Sequence, residues 1–181
     1  MILQTERLTI RPITMEDKNE IFEYRRDKAT NKYQGWVPET IADVEAFIGK
    51  LPQQINVPET WFQFAIVERV TQKVVGDLGV HFIGPDNRQA EIGCTLHKAF
   101  HKQGYATEAI RTVLDYLFNT LSKHRVTTSI DPENTSSIRL VERIGFRKEA
   151  HFIESLWMKG QWVDDVIYAL LEKDWSRMSE R

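Results

Sequence analysis

The ten residues 101–110, "HKQGYATEAI", decide the fold because they join a glycine-containing turn to the start of a helix. From Ala106 to Leu121, apolar residues recur at the three- and four-residue spacing of an amphipathic helix. Gly104 lies where the loop passes into this helix, and it allows the backbone to approach a ligand closely. Because a helix start presents backbone N–H groups and a positive dipole end, the turn favours an anion such as pyrophosphate. A glycine that only shapes the loop is the simpler alternative.

The segments on either side alternate between strand-like and helix-like patterns. Alternating or β-branched runs predict strands, and apolar residues at helical spacing predict helices. The predicted strands are 8–13, the runs from 61, 74, 90 and 125, and two runs near 146–153 and 163–171. The predicted helices follow Thr14 and Thr40, fill 106–121, and precede Gly145. Residues 1–181 are therefore predicted to form a single α/β (α+β) domain, with a mixed, mostly antiparallel central sheet of about seven strands and about four flanking helices.

Composition excludes several classes of function. The chain has 181 residues and a formal net charge of −2, so it lacks the basic excess that is typical of nucleic-acid binding. Charged residues interrupt the apolar runs, and Glu6 and Arg7 stand where a signal peptide needs apolar residues. We therefore expect a cytoplasmic protein that binds neither nucleic acid nor a membrane.

The cysteine and histidine content argues against metal and disulfide chemistry. The single cysteine, Cys94, excludes an intrachain disulfide, and its alternation with apolar residues favours a buried thiol over a reactive one. His97 and His101 are four residues apart, but the turn interrupts the helix and no acidic partner stands at a metal-ligand spacing. We expect no metal site. The other histidines are expected at surface or satisfied strand positions: His81, His124 and His151.

Several motifs together resemble a known enzyme family. "QGYATEAI" (103–110) follows the strand "AEIGCTL" (90–96), and "NTSSIRLVERIGF" (134–146) follows the next strand. This arrangement resembles the GNAT superfamily of coenzyme A-dependent N-acetyltransferases. The opening "TERLTIRPI" (5–13) and the late "GQWVDDVIYALLEKDW" (160–175) resemble its ribosomal-protein alanine acetyltransferase (RimJ/RimL-like) branch. The resemblance implies the GNAT fold, acetyl-CoA as co-substrate without a metal, and acetyl transfer to a primary amine in a ternary complex.

The resemblance also implies that the loop 101–106 cradles the pyrophosphate of coenzyme A. The superfamily loop usually begins with Arg or Gln, whereas this loop begins with His101, so backbone N–H groups should carry most of the binding. Thr107 adds a hydroxyl at the helix start, with plain capping as the alternative. The residues implied to contact the cofactor here are His101, Lys102, Gln103, Gly104, Tyr105, Ala106 and Thr107.

A second set of residues is implied to hold the pantetheine arm and the thioester. The arm should run along Cys94, Thr95 and Leu96, where a backbone N–H would stabilise the oxyanion. Asn134 and Ser137 match the superfamily pattern of Asn, two residues, Ser. In that pattern the amide binds pantetheine and the hydroxyl protonates the departing thiolate. Helix capping is the structural alternative for both residues.

Acetyl transfer to an amine requires a general base, because amines are mostly protonated at neutral pH. Glu91 lies on the polar face of the strand 90–96, and similar enzymes carry a glutamate on this strand that faces the substrate cleft. A solvated strand carboxylate is the alternative. Glu154, in "FIES", is implied as a second candidate base by the resemblance to the alanine acetyltransferases.

The resemblance places the acceptor pocket between the first two helices, their loop and the last strands. "NKYQGWVP" (31–38) and "ESLWMKGQW" (154–162) would form its walls. The acceptor is expected to be a protein N-terminal amine; a small amine (polyamine, aminoglycoside or amino acid) and a non-catalytic acyl-CoA-binding module are the alternatives. Since similar proteins often dimerise, a homodimer stays open. The candidate substrate contacts are Tyr33, Trp36, Trp157 and Trp162, with core or dimer packing as the alternative.

Overall fold

One mixed sheet organises the chain. The computed structural model describes residues 1–179. Within that range the strands are β1 (Leu3–Gln4), β2 (Leu8–Pro12), β3 (Trp61–Glu68), β4 (Val74–Ile83), β5 (Gln89–Leu96), β6 (Arg125–Ile130), β7 (Arg147–Met158) and β8 (Gln161–Leu171). Their spatial order is β1-β2-β3-β4-β5-β6-β8-β7. Every neighbouring pair is antiparallel except β5–β6, which is parallel.

Helices connect the strands and cover both faces of the sheet. They are α1 (Lys18–Arg25), α2 (Ile41–Gly49), α3 (Tyr105–Asp115), α4 (Thr135–Ile144) and α5 (Glu172–Ser179). Thr40 begins α2 as a cap, since its hydroxyl accepts a hydrogen bond from the Asp43 N–H at 3.2 Å. Gly145 ends α4 in the left-handed conformation, with φ of 118°.

The predicted element order and the mixed, mostly antiparallel sheet are confirmed. Two elements were not predicted: the two-residue β1, which is too short to show a pattern, and α5, which follows β8 without an intervening turn residue. The helix predicted over 106–121 is α-helical to Asp115 and continues as a wider π turn over Tyr116–Thr120. The predicted wall 154–162 is the turn-forming end of the β7–β8 hairpin rather than an open loop.

Two apolar layers hold the helices to the sheet. On one face, α3 buries residues such as Leu114 against strand residues such as Phe82. On the other face, α1 and α2 bury Ile21 and Val44 against Ala65 of β3. Each layer consists of fully buried side chains, so the sheet has a distinct helix-covered surface on each side.

The pairing between the two parallel strands ends early. The registered pairs of β5 and β6 run from Gln89–Arg125 to Glu91–Thr127, although β5 continues to Leu96. Beyond Glu91 the two strands diverge, and a gap opens in the middle of the sheet. The start of α4, with Asn134 and Ser137, and Ile110 of α3 border this gap.

Lys123 is a buried cation that connects three loops. Its side chain is 1% exposed, and its Nζ donates to Asn56 Oδ1 at 2.6 Å and to Asn87 Oδ1 at 2.8 Å. Nζ also donates to the Asn87 carbonyl oxygen and lies 4.8 Å from the centre of the Phe82 ring. Because these partners carry no full negative charge, burial lowers the pKa of Lys123 to about 8.

The depressed pKa of Lys123 predicts a pH-dependent stability. Between about pH 8 and the ordinary lysine value of 10.5, the unfolded chain holds a proton that the folded chain has released. The free energy of unfolding of the wild type should therefore rise with pH, relative to Lys123→Met, across this window. Urea unfolding at pH 7.5 and pH 9.5 measures the difference, and Lys148→Met, which removes an exposed lysine on β7, is the control. If the free energy of unfolding changes equally with pH in the wild type and in Lys123→Met, the prediction that folded Lys123 loses its proton in this range is wrong.

Candidate active site

The start of α3 is built to face a ligand with its backbone. Gly104 is the N-cap residue of α3 and has the left-handed conformation, with φ of 85°. Because glycine has no side chain, it makes no capping hydrogen bond to the first N–H groups of the helix. A Cβ atom at this position would lie 3.3 Å from Arg7 Nη2. Glycine is therefore required both by the backbone angle and by close packing behind the loop. The exposed N–H groups and the helix dipole make this turn suitable for an anion.

A cleft of about 800 Å³ lies between the loop, the end of β5 and α4. Its volume and its basic, N–H-rich outer end fit a long anionic ligand such as coenzyme A. Arg139 and Arg143, one helical turn apart on α4, were missed by the sequence reasoning, although their spacing marks one face of that helix. The lining residues are Cys94, Leu96, Phe100, His101, Lys102, Gly104, Tyr105, Ala106, Thr107, Ser136, Ser137, Arg139, Leu140 and Arg143.

The cleft contains most of the predicted cofactor residues but not all of them. The Gln103 side chain donates to the Ala99 carbonyl oxygen at 2.8 Å, so it closes the loop on itself. Thr95 is buried and alternates with Cys94, so it lies on the opposite face of β5. Both residues are therefore positioned away from the cleft wall.

His101, the departure from the superfamily loop, binds the strand that precedes it. Its Nε2 lies 2.9 Å from the Leu96 carbonyl oxygen, which ties the loop to the end of β5. The ring therefore helps to hold the loop against the end of β5.

A smaller cavity of about 140 Å³ lies in the gap between β5 and β6. It passes through the sheet, because Cys94 and Ser137 line it from the α4 side and Gly93 and Ser129 line it from the other face. Cys94, Ser137 and Leu140 line both spaces, so the large cleft and the inner cavity lie next to each other.

The backbone of β5 directs an N–H group into this gap. The His97 N–H donates to the Val75 carbonyl oxygen at 2.9 Å, which identifies this pair as hydrogen-bonded. Since bonded pairs alternate along an antiparallel ladder, Thr95 and Gly93 also point their N–H groups toward β4. The Cys94 N–H therefore points away from β4, toward the gap, where it can stabilise an oxyanion.

Asn134 and Ser137 occupy the start of α4 beside the gap. The Asn134 Oδ1 accepts a hydrogen bond from the Ser137 N–H at 3.2 Å, so the capping role is present. Both side chains also line the inner cavity, and nearby Tyr33 donates its hydroxyl to the Glu133 carbonyl oxygen at 3.2 Å. Capping and ligand contact are compatible for Asn134, because the cap uses only its oxygen.

Glu91 lies on the opposite face of the sheet from the large cleft. It is half-buried, and this burial raises the pKa of Glu91, with Asp165 adding to the shift and His81 opposing it. His81 is directly cross-strand from Glu91, and its ring stacks on Trp61 at 4.8 Å. The sequence reasoning left His81 without a partner and gave Trp61 no role in the site; the short β4–β5 turn was the signal that could have aligned His81 with Glu91.

Glu154 lies in a different environment. It is exposed at an irregular part of β7, with φ of 46°, and its N–H donates to Asp164 Oδ1 at 2.9 Å. The register of β7 shifts between Phe152 and Leu156, so the side chains there do not continue the regular face of the sheet. The structure does not bring Glu154 together with the cavity-lining residues.

The predicted acceptor aromatics separate into different places. Tyr33 lines the inner cavity. Trp36 stacks on Phe47 at 4.6 Å on the α1–α2 side. Trp157 and Trp162 form an edge-to-face pair at 5.3 Å near the tip of the β7–β8 hairpin, with exposed fractions of 62% and 57%. These last two are therefore surface residues rather than core residues.

A buried ion pair lies behind β5. Asp77 on β4 is fully buried and accepts hydrogen bonds from the Tyr24 hydroxyl at 2.8 Å and from Arg25 Nη2 at 2.5 Å. Gln63 also donates to Asp77. Burial, with a smaller effect from Asp77, raises the pKa of the neighbouring Cys94 thiol to about 12. Cys94 is thus uncharged at neutral pH and is not an activated nucleophile.

Within residues 1–179, two features that would indicate other classes of function are absent. No group of three or more His, Cys, Asp or Glu side chains in this range is arranged to hold a metal ion. In the same range, no helix has the length and apolarity needed to cross a membrane.

Comparison with known proteins places the chain in a family. The model of the acetyltransferase (GNAT) domain matches residues 7–147. The uncharacterized N-acetyltransferase p20 of Bacillus licheniformis is 30% identical over 174 residues, covering 96% of this chain and 98% of that protein. The crystal structure of a GNAT-family acetyltransferase from Bacillus anthracis has a TM-score of 0.85 and 29% identity, covering 96% of this chain and 99% of that one. The chain belongs to the GNAT acetyltransferase family and is an N-acetyltransferase.

Other relatives carry names that refer to different acceptors. The ribosomal protein uS5-alanine N-acetyltransferase of Escherichia coli is 32% identical over 85 residues, covering 47% of this chain and 44% of that protein. The structure of spermidine N-acetyltransferase from Vibrio cholerae in complex with CoA and spermine has a TM-score of 0.82 at 21% identity, covering 95% of this chain and 99% of that one. The second likeness shows the fold alone. GNAT acetyltransferases use acetyl-CoA, and the predicted resemblance to this family and its ribosomal-protein members is confirmed.

The left-handed backbone at Gly104 generates a stability prediction. Gly104→Ala should lower the free energy of unfolding by about 1–2 kcal/mol, because an alanine with positive φ is strained and its Cβ meets Arg7. Gly35→Ala is the matched control, since no heavy atom lies within 4 Å of its added Cβ. Urea unfolding of both variants measures the difference, and an equal change in the two would contradict the strain at Gly104.

Proposed function

We propose that the chain transfers an acetyl group from acetyl-CoA directly to a primary amine, with both substrates bound at once. The observation that carries this proposal is the cavity in the gap of the sheet. This cavity shares Cys94 and Ser137 with the large cleft on the α4 side, and it is also lined by Gly93, which lies on the same face of β5 as Glu91. A donor bound in the cleft and an acceptor bound over Glu91 can meet at this gap. Direct transfer needs such a meeting point, whereas a simple binding module does not.

In this proposal the outer cleft binds the anionic part of acetyl-CoA. The backbone N–H groups after Gly104 bind the pyrophosphate, and Lys102, Arg139 and Arg143 add positive charge at the cleft wall. Asn134 and Ser137 lie farther in, beside the gap, where a pantetheine arm would pass. Acetyl-CoA supplies a thioester, which is a reactive acyl donor.

The residues around the gap have distinct chemical roles in the proposal. Glu91 accepts the proton of the attacking amine, directly or through water, and its raised pKa brings it closer to neutral pH. The Cys94 N–H stabilises the negative charge that develops on the carbonyl oxygen. The Ser137 hydroxyl donates a proton to the departing thiolate. Glu154 is the alternative base, but its exposed position on β7 supports it less well.

We further propose that the acceptor is a protein N-terminal amine, as the name of the uS5-alanine acetyltransferase indicates for that relative. A small cationic amine is the second candidate. The support for this candidate is the pair of neighbouring carboxylates Glu91 and Asp165. The Ser129 hydroxyl donates a hydrogen bond to Asp165 Oδ1 at 2.7 Å. The expectations of a cytoplasmic location and a homodimer stay predictions.

An acceptor panel tests the proposed function. Peptides that begin with Ala or Ser should release free thiol from acetyl-CoA, and mass spectrometry should find the acetyl group on the N-terminal nitrogen. Spermidine, an aminoglycoside and free alanine complete the panel. Turnover only with small amines would assign the second candidate, and coenzyme A binding without turnover on any amine would favour the non-catalytic module.

The position of Glu91 predicts a rate and a pH effect. Glu91→Gln should lower kcat by about 100-fold or more, with unchanged affinity for acetyl-CoA, because a general base contributes on this order. In the wild type, kcat/KM should fall as the pH falls through a value above the ordinary glutamate pKa of 4.5, since burial raises the pKa of Glu91 and protonation removes the base. This acidic limb should be absent in the variant.

Two further variants make the Glu91 measurement specific. Glu172→Gln removes an exposed carboxylate at the start of α5 and should keep the wild-type rate and pH profile. Glu154→Gln compares the alternative base: a large loss of kcat there, with a normal rate in Glu91→Gln, would assign the base to Glu154.

A further inference from the structure

Arg7, which directly precedes β2, binds the outer side of the loop whose inner side lines the cleft. Its Nη1 donates to the Gln103 carbonyl oxygen at 2.9 Å, and its Nε donates to Glu108 Oε2 at 2.8 Å. Its guanidinium carbon lies 4.5 Å from the centre of the Tyr105 ring. One side chain therefore holds three parts of the turn: the Gln103 carbonyl group, the Tyr105 ring and the Glu108 carboxylate.

The contact with Gln103 fixes the direction of a peptide group. The structure has no cis peptide bond in the described chain, so the Gln103 C=O and the Gly104 N–H point in opposite directions. Since the carbonyl points toward Arg7 on the outer side, the Gly104 N–H points toward the cleft that Gly104 lines. Rotation of this peptide would turn a carbonyl oxygen toward the anion, which is repulsive. Glycine at 104 makes such rotation easy unless the carbonyl is held.

Arg7 also removes an unfavourable charge. Glu108 lies in the first turn of α3, where an uncompensated carboxylate would repel a phosphate at the same helix end. Arg7 Nη2 lies 2.5 Å from Glu108 Oε2, and the Thr5 hydroxyl donates to the other oxygen. The carboxylate is therefore paired on the outer side of the loop.

The backbone of Arg7 is held independently of its side chain. The Arg7 carbonyl oxygen accepts a hydrogen bond from the Arg69 N–H at 2.9 Å. Arg69 Nη1 donates to the Thr5 carbonyl oxygen at 2.8 Å. The segment that leads into β2 should thus stay in place when the Arg7 side chain is changed, which makes the side chain testable by substitution.

We propose that Arg7 is a positioning residue of the coenzyme A site: by binding the Gln103 carbonyl, it orients the Gly104 N–H toward the pyrophosphate. This proposal rests on the proposed binding of acetyl-CoA in the cleft. Arg7 acts through the loop and does not itself contact the ligand.

The test compares Arg7→Met with a matched variant in the adjoining strand β2, Arg11→Met. Arg11 also binds a carboxylate with two nitrogens, at 2.8 and 2.6 Å from the Asp17 oxygens, but it makes no contact with the loop. Calorimetry with coenzyme A should show about tenfold weaker binding for Arg7→Met, the effect of one hydrogen bond to a charged group. Arg11→Met should bind like the wild type. Thermal unfolding of both variants monitors stability.

Two more measurements separate orientation of the peptide from general structure and from charge. With an amine accepted in the panel, Arg7→Met should raise the KM for acetyl-CoA about tenfold, keep kcat at saturation, and leave kcat/KM for acetyl-pantetheine, which has no pyrophosphate, unchanged. The double variant Arg7→Met/Glu108→Gln should recover only the part of the affinity that is lost to repulsion by the unpaired carboxylate. It should still bind coenzyme A more weakly than the wild type, because removing the carboxylate does not reorient the peptide.

The outcomes distinguish this proposal from the one on which it rests. A wild type that does not bind coenzyme A overturns the proposed function. If the wild type binds and Arg7→Met binds equally well, or if Glu108→Gln restores wild-type binding in the double variant, the positioning role of Arg7 is wrong. Equal weakening by Arg11→Met, or an equal loss with acetyl-pantetheine, also overturns it, since either result would reflect a general loss of structure.

Discussion

The early end of the β5–β6 pairing is the constraint on which the site depends. After the Glu91–Thr127 pair, β5 stays with β4 and leads into the loop before α3, whereas β6 stays with β8 and leads into α4. The two strands must therefore separate. Separation leaves the Cys94 N–H pointing into open space, places the starts of α3 and α4 side by side above it, and opens the sheet to both faces. The cleft and the cavity, and with them the proposed approach of the two substrates, are consequences of this one divergence.

Features with a local periodic signal could be predicted from the sequence. The apolar spacing after Gly104 gave α3, and the alternation in residues 90–96 correctly placed Glu91 and Cys94 on opposite faces of β5. Asn134 was a predictable cap because the residues at an N-cap and three positions later contact each other in any helix. In each case the interacting groups lie within a few residues, so the local backbone geometry determines the contact.

Features that depend on long-range register could not be predicted in this way. His81 joins Glu91 only through the pairing of β4 with β5, and Arg7 reaches Glu108 across 101 positions of sequence. The short turn between β4 and β5 could have suggested the first contact, but no local pattern gives the second. Trp157 and Trp162, which were predicted as substrate contacts, pair with each other in regular register near the tip of the β7–β8 hairpin, where both are largely exposed. Their contact with the substrate stays a prediction. The proposed cofactor site was thus easier to predict than the proposed acceptor site. The loop and the helix starts consist of residues that are close in sequence, whereas the proposed acceptor site is assembled from several strands.

The buried Arg25–Asp77 pair gives the reactive centre a property beyond stability. A thiolate at Cys94 would stand beside the proposed thioester and compete with the amine for the acetyl group. Burial and the nearby Asp77 charge raise the pKa of the Cys94 thiol to about 12, so the thiol stays protonated. Arg25, in turn, supplies the charge and hydrogen bonds that allow a carboxylate to be fully buried on β4. The ion pair therefore anchors α1 to the sheet. Within it, the Asp77 charge adds to the burial that keeps the Cys94 thiol protonated, whereas the Arg25 charge opposes this effect.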